Sequence, residues 1–119
     1  MKILLAKCLR AYTSHFEENS ESLALGYLAA TLRMAGFQQV DILDGSLTKV
    51  SLAQMVEVIA RSEYDLIGFT ISDQTFLEST CECVELLRRK GVTAHIVLGG
   101  YTPTFQYSET LEACAGIDS

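Results

Sequence analysis

The feature that most constrains this chain is its alternation. Four short apolar runs, KILLA (Lys2–Ala6), QVDIL (Gln39–Leu43), YDLIGFTIS (Tyr64–Ser72) and AHIVLGG (Ala94–Gly100), are separated by stretches with helical periodicity. Leu25, Leu28, Ala29, Leu32 and Ala35 or Gly36 recur at three- and four-residue steps within ESLALGYLAATLRMAG. That spacing predicts an amphipathic helix stopped by Gly36, with Ser20 or Ser22 as its N-cap and Glu21 in its first turn. Leu52, Met55, Val56 and Ile59 predict a second helix, capped by Ser51 or Thr48. FLESTCECVELLRRKG predicts a third, with Arg88, Arg89 and Lys90 in its last turn and Gly91 as its stop.

The runs do not alternate cleanly between polar and apolar residues, and strands of that kind between helices belong to parallel sheets covered on both faces. Right-handed crossovers then lead to a doubly wound α/β fold, a Rossmann-like or flavodoxin-like parallel sheet of four to five strands. SETLEACAG predicts a short fourth helix, and IDS (Ile117–Ser119) stands where a fifth, edge strand could begin. In the order 2-1-3-4 the switch point falls between the first and third strands, and ligands collect at the carboxyl ends there. The loop Lys7–Ser20, the turn Ser72–Thr75 and the glycine turn Gly99–Phe105 converge on that rim. The first is far longer than a usual strand-to-helix connection.

Composition narrows the function classes. A chain of 119 residues, 49% of them hydrophobic, is sized for one domain with its own core. The formal net charge is −6 with no basic stripe, which argues against a nucleic-acid partner. The apolar run at the N-terminus is interrupted by Lys7 and Arg10, too early for a signal peptide or a membrane span. Cys8, Cys81, Cys83 and Cys114 are therefore expected as reduced thiols in a cytoplasmic protein. Cys81 and Cys83 point about 200° apart on a helix and cannot chelate one metal together. His95 is expected as a packed strand residue and Asp44 as a loop or capping carboxylate. Gly26, inside a helix, costs about 1 kcal/mol relative to alanine, which suggests close packing or a cofactor beside it.

The ligand is next narrowed by motif. Neither GxGxxG nor GxxxxGK[ST] occurs, the loop after the first strand has no glycine for a flavodoxin-type phosphate site, and the first strand ends in Ala6-Lys7 rather than in clustered acids. LALGYLAATLRMAGFQQVDILDG, followed by YDLIGFTIS and AHIVLGGYTPTF, resembles the cobalamin-binding domain that precedes the catalytic barrel in B12-dependent radical SAM proteins. The likeness runs from about Leu23 to Phe105 and on toward Asp118. It implies cobalamin lying over the carboxyl ends of the strands, its benzimidazole tail in a slot near the ends of the third and fourth. By residue matching it implies a lining of Thr70, Ser72, Gly99 and Gly100, with Thr75 and Thr102 beside them. Glycine backbone and small hydroxyls suit a broad disc fringed with amides.

The same resemblance sets limits. The Asp-x-His-x-x-Gly motif of histidine-ligated B12 domains is absent, so His15 is not expected to bind cobalt and no residue is assigned to a metal. No CxxxCxxC is present, so S-adenosylmethionine and its [4Fe-4S] cluster would belong to a C-terminal radical SAM domain of a parent protein, of which residues 1–119 would be an N-terminal fragment, or else the chain is a stand-alone carrier. No turnover is expected of the chain by itself. The implied parent activity is methyl transfer. A flavodoxin-like binding or signalling module with another ligand, or with none, is the alternative reading.

Overall fold

In the computed structural model, which describes residues 1–9 and 23–119, the elements follow one another as strand, helix, strand. They are β1 (Lys2–Lys7), α1 (Leu23–Met34), β2 (Gln39–Asp44), a one-turn α2 (Gly45–Thr48), α3 (Leu52–Arg61), β3 (Leu66–Thr70), α4 (Leu77–Arg89), β4 (His95–Gly99), α5 (Tyr101–Phe105) and α6 (Tyr107–Ala113). The four strands form one parallel sheet in the order β2-β1-β3-β4. This is the expected α/β arrangement, with helices on both faces of the sheet.

Local chemistry sets the element ends. Gly36 and Gly91 take φ of +101° and +85° directly after α1 and α4. In that geometry Phe37 and Val92 donate back to Leu32 and Leu87, both at 3.1 Å, closing helix ends that a Cβ would strain. Ser51 caps α3: its hydroxyl accepts from the Gln54 amide while the Gln54 side chain accepts from the Ser51 amide. The proposed caps of α1, Ser20 and Ser22, and Glu21 beside them lie outside the described residues.

The sheet divides the core. On one face Leu4, Ala6, Ile67, Phe69 and Ile96 pack against Met55, Val56 and Ile59 of α3 and Val84 and Leu87 of α4. On the other, Ile3, Leu5 and Val40 meet Leu25 and Ala29 of α1. Within the described residues α1 covers only the β2-β1-β3 side of that face, and the carboxyl halves of β3 and β4 beside it form a groove.

Three expectations are corrected. The expected glycine turn Gly99–Phe105 is confined to the two glycines, and Tyr101–Phe105 is the helix α5. Pro103 is its third residue, where the missing N–H has no intrahelical partner to lose. His95 is exposed, not packed: its side chain is 53% accessible, Nδ1 stands 3.9 Å from the Asp118 carboxylate and Nε2 is 3.1 Å from the Ser119 hydroxyl. Gly26 is exposed and a Cβ there would meet nothing within 4 Å, because it sits about 100° round the helix from Leu25, whose stripe carries the packing.

Residues 117–119 run beside β4. Leu98 donates to the Ser119 carbonyl at 2.9 Å and the Ser119 amide reaches Ile96 at 3.3 Å, a parallel pairing begun but not long enough to count as a fifth strand. Arg88 fastens this segment, donating to the carbonyls of Gly116 and Ala94 and pairing with Asp118 at 2.8 Å. The Ile96 amide, with Arg88 and His95 adding, holds the Asp118 carboxyl below its ordinary 3.8. A depressed carboxyl stabilises above its unfolded value and the contribution fades as pH falls through the folded one. Asp118→Asn is therefore expected to lower the urea midpoint at pH 6, with the difference from wild type closing below pH 3.8. An equal difference at both pH values would contradict it.

Candidate functional site

The carboxyl ends of β3 and β4 lie side by side, with Thr70 in register with Gly99 and Gly68 with Val97. Side chains alternate along a strand, so Leu66, Gly68 and Thr70 share the face toward α1 while Ile67, Phe69 and Ile71 enter the opposite core. Two positions on the α1 face are thus glycines. At Gly99 a Cβ would meet nothing within 4 Å, and at Gly68 it would meet Leu5 Cδ2 at 3.3 Å. The space left open is a groove of about 300 Å³. Leu5, Gly68, Thr70, Val97 and Gly99 form its floor, and Ala24, Leu25 and Leu28 of α1 its wall. It is apolar apart from backbone amides and the Thr70 hydroxyl, a composition suited to a flat, largely apolar group with a few hydrogen-bonding atoms.

The paired glycines have different reasons. Gly99 leaves the groove open. Gly100 has φ +105° and ψ −170°, and a Cβ on it would lie 2.6 Å from the Ile71 carbonyl oxygen. Its glycine is required by the close passage of two backbones, which the Thr102 amide completes by donating to the Ile71 carbonyl at 3.3 Å.

Of the six positions singled out from sequence, the structure brings Thr70, Gly99 and Gly100 together around the groove and leaves three outside it. Ser72 is exposed at the rim. Thr75 donates its hydroxyl to Asp73, which also accepts the Thr75 amide at 2.8 Å and so caps the 3-10 turn Gln74–Phe76 ahead of α4. Neither Ser72 nor Thr75 is that cap. Thr102 is buried in the first turn of α5. Asp44 is the capping carboxylate it was expected to be, accepting from the Leu47 amide at 3.2 Å. His15 and all but the first three residues of the loop Lys7–Ser20 lie outside the described residues.

Sequence reasoning missed Gly68 and the α1 wall. A glycine inside an apolar strand is itself a signal of close approach. The wall carries none, since only the crossover sets which face of α1 meets β3. Also unassigned from sequence was Lys7, which ends the central strand β1 with its ammonium over the Phe76 ring, 4.6 Å from the centroid. On the β4 side the exposed rings of Tyr101 and Phe105 pack against one another, centroids 4.6 Å apart and planes tilted by 42°.

No group of three or more His, Cys, Asp or Glu among the described residues could hold a metal ion. No described helix is long and apolar enough to cross a membrane. The family model described as B12 binding domain matches residues 9–119. No curated protein and no solved structure gives a significant match to the chain.

Proposed function

Since the chain belongs to the family of B12-binding domains, we propose that it holds cobalamin in the groove at the carboxyl ends of β3 and β4 as the binding module of a B12-dependent radical SAM methyltransferase. The observation that carries the site is the groove floor, where glycines at positions 68 and 99 remove side chains that would otherwise fill it. Thr70 would hydrogen-bond a polar atom of the ligand, Leu25 and Leu28 would pack on its apolar part, and the open backbone at Gly99 would admit it. Ser72 at the exposed rim, with Thr75 and Thr102 behind it, would border the corrin edge rather than the groove. Bound cobalamin supplies methyl carriage on cobalt, and the protein supplies binding and orientation. The radical SAM association rests on the order and spacing of the sequence motifs. The S-adenosylmethionine and iron-sulfur chemistry would lie in a separate domain.

The test is retention. The purified chain mixed with hydroxocobalamin is expected to keep the cofactor through a desalting column, and complete loss would end this reading. A second expectation concerns the cobalt. With Asp-x-His-x-x-Gly absent and an apolar groove available for the benzimidazole, bound methylcobalamin should show a base-off spectrum, unchanged at mildly acidic pH and in His15→Ala. A protein imidazole would be released by protonation near its unperturbed pKa of about 6.5. A spectral change in the variant would make His15 a ligand.

A further inference from the structure

All four cysteines lie among the described residues and none of them is in a disulfide. The structure gathers them into one group with two dominant pairings: the side chains of Cys8 and Cys83 interact with each other, as do those of Cys81 and Cys114, with weaker charge interactions running between the pairs. The two pairs are not equivalent. Cys8 and Cys83 are 1% and 0% exposed in the core beneath the sheet. Cys81 alone is partly exposed, and its partner Cys114 is buried.

The second pair is built into the packing of two elements. Cys81, Val84 and Arg88 fall at three- and four-residue steps on one face of α4, and the chain leaving α6 lies along that face. Arg88 donates to the Gly116 carbonyl at 2.8 Å, and a Cβ on Gly116 would meet Val84 Cγ1 at 3.3 Å. Cys114 lies two residues before Gly116 and Cys81 two turns up the helix from Arg88, so the interaction between their side chains continues the same seam. The hydrogen bond from Cys114 lowers the Cys81 pKa, while donating that bond, and after it burial, raises that of Cys114. Thiolate character thus falls on the accessible partner.

We propose that Cys81 and Cys114 form a reversible dithiol site that reacts with small-molecule disulfides, Cys81 as the attacking thiol and Cys114 as the resolving one. The Cys81 thiolate attacks one sulfur of the disulfide, forming a mixed disulfide and expelling one thiolate. Cys114 then gives up its proton and attacks the Cys81 sulfur, which forms the Cys81–Cys114 bond and expels the second thiolate. Two electrons pass from the protein dithiol to the small disulfide, and the two protons end on the released thiols. The new bond would tie α4 to the end of α6 and close a loop that contains β4, Gly99 and Gly100, fixing the β4 side of the groove.

The experiment is incubation of the full chain with oxidised glutathione, followed by intact mass and peptide mapping. Wild type is expected to lose two hydrogens, to yield a peptide pair joined through Cys81 and Cys114, and to revert with dithiothreitol. Cys114→Ser is expected to stop at glutathione bound on Cys81, and Cys81→Ser to take up none. A wild-type chain that stays unmodified, carries a stable glutathione adduct, or joins Cys8 to Cys83 instead overturns the proposal. The wild-type measurement decides by itself, whether or not either variant folds.

Discussion

Gly100→Val is expected to lower the stability of the domain by at least about 3 kcal/mol, with or without cofactor. The residue sits at φ +105° and ψ −170°, a region open essentially to glycine alone, and occupancy by another residue costs about 1–3 kcal/mol before any contact is counted. The contact is severe. A Cβ would stand 2.6 Å from the Ile71 carbonyl oxygen and 3.0 Å from its carbonyl carbon and amide nitrogen. Ile71 cannot yield, because its amide donates to the Gly99 carbonyl at 2.8 Å, its carbonyl accepts from Thr102, and its side chain is fully buried in the core. For a domain of this size the cost corresponds to a fall in melting temperature on the order of 12 °C. A melting temperature within about 2 °C of wild type would show that the Gly100–Ile71 crossing is not the constraint described.

That position shows what was legible in the sequence and what was not. GG after an apolar strand announces that something comes close to the backbone, and the choice between a turn and a ligand stays open until the fold is seen. Here the two glycines answer differently, because one faces the groove and the next faces Ile71. The sheet itself was readable, since glycine stops at Gly36 and Gly91 and a capping box at Ser51 are local signals that tertiary packing did not override. Helix α5 was hidden because YTPTF contains proline and two threonines and has no apolar period. Its helical start follows from the Gly100 turn and the Thr102–Ile71 bond, both long-range. Ser72 and Thr75 match the ligand lining by residue type, but Asp73 between them takes the Thr75 hydroxyl and caps the turn that follows, a local competition the matching does not register. Gly68 interrupts an apolar strand, which signals close approach but does not by itself say on which face of the sheet. The pairing of Cys81 with Cys114 joins residues 33 positions apart in sequence, so no spacing rule could expose it.

One residue earlier the expected result is the reverse. Gly99→Val should leave folding intact and remove most cobalamin retention. Gly99 ends β4 with φ outside the left-handed region, and a Cβ there meets nothing within 4 Å. A β-branched residue is favoured in a strand, so thermal stability should match wild type within about 1 kcal/mol. The added isopropyl group, however, would stand in the groove between Thr70 and the α1 wall, in space that the bound group must occupy. Overpacking a formed site by this volume costs about 1–3 kcal/mol, so a value near 2 weakens binding about 30-fold. Equilibrium dialysis against hydroxocobalamin, run beside a thermal melt, measures both quantities on one preparation. Gly99→Ala, with a single added methyl, should fall between the two. If Gly99→Val binds as tightly as wild type while remaining folded, cobalamin does not use the groove, and the open floor at Gly99 has another purpose. If it unfolds, the absence of neighbours around that Cβ is wrong, and the two glycines share one structural reason after all.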